Sequence, residues 1–385
     1  MPRYPATAPT LDAVGGAVFS ALAERLANHE GTVYPLHIGD TWLEPAEGCR
    51  MQDLLVEQNP GMHRYANPQG LAALIDAIVD RSTLRTQVAT ERESVLVTAG
   101  ATGALGAVVG ATVSPGDDVL VLAPYWPLIT GIVRCFHGNP IVVPLLDTTL
   151  DVESVIEAYE AARTERTTAI YISSPNNPSG KTLPESWINA LCEWARRYDL
   201  WILSDEVYED YVYAGKHSYA RTRAPERTFS VHSFSKAFGM AGNRCGYVVG
   251  PQSVMMQLRK VSTHSFYSTP TASQIAALRA LDGRGDGWVD EIRPQYRALG
   301  DDAAERIGVA KPQGGTFLFV DVAEQLDERG LIGFLEDCAD DGLFLAPGPS
   351  FGPYPTHVRI CFTCAPPEIV REGARRLAIR MGRGS

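Results

Sequence analysis

Between residues 95 and 249 the chain carries seven short apolar, β-branched runs, at about 95–98, 119–122, 141–144, 169–172, 201–204, 228–232 and 245–249. Helical or turn-rich stretches separate them. That alternation predicts an α/β fold in which a mainly parallel, seven-stranded sheet is covered by helices on both faces. In such sheets ligands bind at the carboxyl ends of the strands, so the segments that follow the runs are where chemistry is expected. From about residue 289 the pattern changes to a long amphipathic helix, then Pro312–Asp321, then helix and strand again. A chain of 385 residues is long for one core and suits two lobes. The expected division is a large domain at 49–288 and a smaller α+β domain at 289–385, joined by an N-terminal segment at 1–48, with the last residues, ending Gly384-Ser385, disordered.

Four strand-end segments carry polar residues at close spacing. Val95–Leu105 reads as a strand, a small-residue turn and a helix start, where the free backbone N–H groups of Ala101 and Thr102 suit an anion. It lacks the P-loop lysine and is not G-x-G-x-x-G, which argues against an ATP or dinucleotide site. Ala169–Gly180 runs from a strand into a turn of Pro, Asn and Gly that contains Asn177. Leu200–Tyr211 delivers Asp205 to a strand end, with Tyr208 just beyond. In Ser233–Tyr247 a lone amine, Lys236, lies among hydroxyls and small residues, with Arg244 eight positions on. Lysine forms Schiff bases once burial or a neighbouring cation suppresses its charge, and small neighbours let a ring come close.

Three patterns in order, Asn177-Pro-Ser-Gly180, Ser204-Asp-Glu-Val-Tyr208 and Ser233-Phe-Ser-Lys-Ala-Phe-Gly followed by Arg244, resemble the type I, aspartate-aminotransferase-like family of pyridoxal-phosphate (PLP) enzymes. The likeness extends from about Val33 to the C-terminus and implies the PLP-dependent transferase fold. It implies that Lys236 holds the cofactor as an internal aldimine and moves the proton of the substrate α-carbon. Asp205 would keep the pyridine nitrogen protonated, and Asn177 and Tyr208 would bond the phenolic oxygen. Gly100, Ala101, Thr102, Ser233, Ser235 and Arg244 would form the phosphate cup, and Trp126 would stack on the ring. Arg359, in His357–Phe362, would fix the substrate α-carboxylate, with Gly39 giving the substrate room. Tyr65 matches a tyrosine that family members send across a dimer interface to the partner's phosphate, which implies a homodimer with shared sites. No metal is expected.

The implied activity is a ping-pong aminotransferase that moves the amino group of an L-α-amino acid to a 2-oxo acid. A lyase, γ-replacement enzyme or cyclase of amino-acid or natural-product metabolism is the alternative on the same residues. A PLP-fold regulator without turnover is disfavoured, because every catalytic position is filled. Asp40, Glu44 and Glu47 form an acidic loop suited to a cationic side chain, although solvated loop acids are the simpler account. A net charge of −11 without a basic patch argues against nucleic acid or an anionic membrane as partner. The seven scattered cysteines suit reduced thiols in a cytoplasmic protein, and Cys361-Phe-Thr-Cys364, lacking a second pair, reads as structural. No stretch has the length of a membrane span or the form of a signal peptide.

Overall fold

Apolar residues stand on both faces of the central strands, so this sheet must be buried on both sides. In the computed structural model, which describes residues 12, 14–15, 22–146 and 149–383, it is. The strands are β1 (Val95–Thr98), β2 (Asp118–Ala123), β3 (Asn139–Pro144), β4 (Thr167–Ser173), β5 (Trp201–Asp205), β6 (Thr228–Ser233) and β7 (Gly246–Val249). Their order is β1-β7-β6-β5-β4-β2-β3, and β7 alone among them runs antiparallel to its neighbours.

The period-2 alternation of a strand sorts the side chains between two helix layers. Val119 and Val121 face a layer that includes Leu105, Val108, Ile129, Val133 and Leu258. Leu120 and Leu122 face the opposite layer, with Tyr159, Trp187, Leu191 and Trp194. A third cluster covers Val95 and Val97 with Ile75 and Ile78, and continues into the C-terminal part of the chain.

There β8 (Phe317–Asp321), β9 (Ala346–Pro347) and β10 (His357–Cys361) form an antiparallel sheet in the order β8-β10-β9. Helices Gly285–Ile307 and Pro367–Arg380 pack on one another beside it, burying Ala303, Ile307 and Leu377 with Leu318, Val320 and Ile360. The N-terminal segment is stitched to this sheet: Cys361 N–H donates to the Leu36 carbonyl at 2.7 Å and Trp42 N–H to the Thr363 carbonyl at 2.9 Å. Two sheets of this kind make the PLP-dependent transferase fold. No helix among the described residues is long and apolar enough to cross a membrane. The tail at Gly384-Ser385 and residues 1–11 of the N-terminal segment lie outside the described residues.

Candidate active site

The carboxyl ends of β1, β2, β4, β5 and β6 open onto one cavity of about 330 Å³, to which the N-terminal segment adds Gly39 and β10 adds Arg359. Ala101, Thr102, Trp126, Asn177, Asp205, Tyr208, Ser233, Ser235, Lys236 and Arg244 line it as well. Gly100 stands behind this lining. It has φ +73°, and a Cβ there would lie 2.6 Å from the Arg244 guanidinium, so only glycine lets that arginine lie against the turn.

Lys236 is delivered by a single helical turn, Phe234–Ala237, whose first N–H groups include that of Ser235, donated to Ser233 Oγ at 3.0 Å. Its Nζ donates to the Gly39 carbonyl at 2.5 Å and lies 3.9 Å from Asp40. Burial lowers the lysine pKa, Arg359 and Arg244 add to the effect, and Asp40 opposes it. Asp205 closes β5 and is buried. It accepts the Tyr171 hydroxyl at 2.6 Å and the Val207 N–H at 3.4 Å, yet burial raises its carboxyl to about 6.

Arg359 is 5 % exposed. It donates to Asn177 Oδ1 at 3.1 Å and to the His37 carbonyl at 2.6 Å, and its guanidinium carbon lies 4.4 Å from the Phe317 ring centroid and 4.8 Å from that of Phe351. Its Nε has no hydrogen-bond partner among the described residues. Tyr208 is buried edge-on to Phe317, and Trp126 is half-buried over the cavity. Arg244, at φ +50°, donates to the Ala241 carbonyl at 2.9 Å. Three cations thus face one cavity with Asp205 at its base and Asp40 beside Lys236, an arrangement that attracts anions.

Tyr65 does not join them. It is 88 % exposed, stacked edge-on against Tyr267 and absent from the cavity wall of its own chain. Of the acidic loop, Asp40 approaches Lys236, while Glu44 and Glu47 are exposed. Sequence reasoning missed Leu105, Pro127, Leu128, Val207, Ala241 and Phe351 in the wall. Val207 and Ala241 lie inside the quoted motifs but at positions the motifs leave open, and no local pattern marks the others. Cys361 is buried next to Arg359, with its Sγ 3.5 Å from the Asp40 carbonyl, and Cys364 Sγ lies 3.1 Å from the Cys361 carbonyl.

Comparison with known proteins gives the same fold. The profile of the family Aminotransferase class I and II matches residues 42–377. A probable aspartate/prephenate aminotransferase of Thermus aquaticus is 34% identical over 78% of this chain and 80% of its own length. An arginine–pyruvate transaminase of Pseudomonas aeruginosa is 32% identical over 83% of this chain and 82% of its own. Among solved structures, a double mutant of Thermus thermophilus aspartate aminotransferase superimposes with a TM-score of 0.90 at 28% identity, covering 98% of this chain and all of that one. The chain therefore belongs to the class I and II aminotransferases, a family of PLP-dependent enzymes.

Proposed function

We propose that this enzyme moves the amino group of an L-α-amino acid to a 2-oxo acid in two half-reactions at the cavity around Lys236. The observation that carries the reading is the convergence of a partly buried amine, a buried carboxyl and a buried guanidinium from three distant parts of the chain.

Two features of the residues fit pyridoxal phosphate. The Asp205 carboxyl, raised to about 6 by burial and with no cation bonded to it among the described residues, is the partner a protonated pyridine nitrogen needs. The Gly100 turn leaves Arg244 pressed against a helix N-terminus, beside Thr102, Ser233 and Ser235, which together offer a phosphate both charge and donors. Trp126 would lie against the ring, and Asn177 and Tyr208 would bond its phenolic oxygen. Bound there, the cofactor supplies an aldehyde for amine exchange and a pyridinium that accepts the electron pair left on the substrate α-carbon.

The chain's own residues do the rest. Lys236 Nζ would hold the cofactor at its aldehyde carbon and, its pKa lowered, would take the α-proton as base and return it as acid. Arg359 fixes the α-carboxylate in its forked geometry and so aims the α-C–H bond. Gly39 leaves room, since a Cβ there would come within 3.3 Å of Phe317 and 3.6 Å of Arg359. The remaining wall, with Leu105, Leu128, Val207 and Phe351, excludes water from the reacting carbon.

We read residues 49–288 as the large domain and 1–48 with 289–385 as the small one, the smaller sheet and its bonds to Leu36 and Trp42 supporting this division. Seven free thiols suit a reducing, cytoplasmic setting. A second copy of the chain is read as the partner that receives Tyr65.

Single-turnover mixing with a panel of amino acids tests the reading. Lys236→Ala should lose the visible absorbance of the lysine-linked cofactor and slow α-proton transfer by about 10²–10⁴-fold. Turnover equal to the unaltered enzyme would refute it.

A further inference from the structure

Asp205 lines the cavity, yet one of its carboxylate oxygens is already engaged from the core. Its Oδ2 accepts the Tyr171 hydroxyl at 2.6 Å, whereas its Oδ1 has only the Val207 N–H, at 3.4 Å. Tyr171 lies outside the three motifs and outside the cavity wall, so nothing in the chemistry at Lys236 has employed it. Its place is set by the sheet. β4 and β5 run parallel with Tyr171 opposite Leu203 and Ser173 opposite Asp205. Residues two apart in a strand share a face, so Tyr171, Leu203 and Asp205 project to the same side. Tyr171 and Leu203 are buried there with Val119 and Val121, and the phenol reaches along the neighbouring strand to the carboxylate that ends it.

A buried tyrosine needs a partner for its hydroxyl, and both members of this pair are buried. Burial and the carboxylate beside it hold the Tyr171 phenol well above its ordinary pKa, so it stays a donor. A donor gives more to a carboxylate than to a neutral carboxylic acid. Tyr171 therefore offsets part of the burial that raises Asp205 to about 6. Two other titratable groups act on Asp205: His232, on β6, favours the carboxylate and Glu206 opposes it. Their own bonds go elsewhere, His232 Nδ1 lying 3.0 Å from Glu209 Oε1 and Glu206 Oε1 accepting from Ser204 Oγ at 2.7 Å.

We infer that Tyr171 is a positioning residue for transamination: its hydroxyl holds Asp205 Oδ2, fixes the rotation of the carboxylate and leaves Oδ1 for the ring nitrogen of the cofactor. The inference rests on the reading of the cavity as a pyridoxal-phosphate site and extends it to the control of the carboxylate. Without the phenol, Asp205 is a stronger base and free to turn. It then competes better for the proton of the ring nitrogen, and a ring that loses this proton is a weaker electron acceptor.

The test compares Tyr171→Phe with wild type as holoenzymes loaded with pyridoxal phosphate carrying ¹⁵N in the ring. The wild-type nitrogen should resonate as protonated. In the variant its signal should move towards the neutral pyridine position, with kcat about 10–100-fold lower and KM within about twofold. Denaturant melts of the cofactor-free proteins give a second readout. The proton on Asp205 stabilises the folded chain until pH rises through the folded pKa, and that midpoint should move up by about one to two pH units in Tyr171→Phe. The stability deficit of Tyr171→Phe should therefore widen from about pH 5 to about pH 8 and stay constant in an Asp205→Asn background. A tyrosine needed only for packing would cost the same at every pH. A ring-nitrogen signal equal to wild type, or a deficit that does not change with pH, overturns the inference. An unprotonated nitrogen in wild type would refute the cofactor reading and the inference with it.

Discussion

At the scale of single residues, Asp205 makes a claim about pH. Its folded pKa, about 6, stands above the ordinary 3.8, so the folded chain without cofactor holds this proton better than the unfolded chain does. Its contribution to stability is complete below the unfolded value and is lost as pH rises through 6, about 3 kcal/mol for a gap of roughly two units. Asp205→Asn has no proton to lose. The cofactor-free variant should therefore be more stable than cofactor-free wild type at pH 8, with the gap narrowing towards pH 4; denaturant melts across that range measure it, and a gap independent of pH would refute the burial argument. Arg359 makes a claim about substrate. Arg359→Lys keeps the charge but loses the fork that reaches Asn177 and His37, so kcat/KM for amino acids should fall about 10–100-fold, mostly through KM. Steady-state constants equal to wild type would remove Arg359 from the substrate's path.

At the scale of elements, the phosphate turn depends on how closely β7 approaches it. A Cβ at Gly246 would meet the His232 carbonyl oxygen at 2.7 Å, the Gly100 carbonyl carbon at 2.8 Å and the Ala101 nitrogen at 2.9 Å, all of them backbone that cannot swing aside. Gly246→Ala should cost about 1–3 kcal/mol and weaken PLP binding, while Gly242→Ala, with nothing within 4 Å, should do neither. Chemical denaturation and cofactor titration of the pair decide it. The strands themselves were legible because their apolar runs are short and sharply bounded: β1 occupies 95–98 as read, and β2 adds one residue at each end. Asp118 was not read into β2 because a carboxylate seldom lies inside a sheet; here Asn139 Nδ2 at 3.0 Å and Thr164 Oγ1 at 2.5 Å satisfy it. β3 starts two residues before the run at 141, at Asn139-Pro140, and proline is tolerated there because β3 is an edge strand. The long helix begins at Gly285 and not near 289, its first turn concealed by Gly285 and Gly287. Within the site, residues on strand ends could be read from motifs. Phe351 could not, because tertiary packing brings it under Arg359 and no local pattern records that.

At the scale of the molecule, an exposed apolar tract demands an explanation. Met51, Leu55, Val56, Tyr65 and Tyr267 are between 45 % and 88 % exposed, and Tyr65 and Tyr267 stack on one another at the surface. Scattered singly, such residues mean little, but Met51, Leu55, Val56 and Tyr65 fall within fifteen positions of one another, and a second copy of the chain is the partner the family resemblance implies for them. If each cavity borrows Tyr65 from the neighbouring subunit, Lys236 and Tyr65 belong to different chains of one site. That arrangement has a consequence that a self-sufficient monomer cannot imitate. Lys236→Ala leaves both sites of its homodimer without the amine, and Tyr65→Ala leaves both without the borrowed hydroxyl. In a hybrid dimer one site carries both defects and the other carries neither. Refolding the two variants together should restore up to a quarter of wild-type activity per total subunit, since about half of randomly paired dimers are hybrids with one intact site. Activity no greater than that of the Tyr65→Ala protein alone in the mixture, with hybrids demonstrated by a mass tag on one variant, would place Tyr65 outside the neighbouring cavity and leave the apolar tract to some other contact.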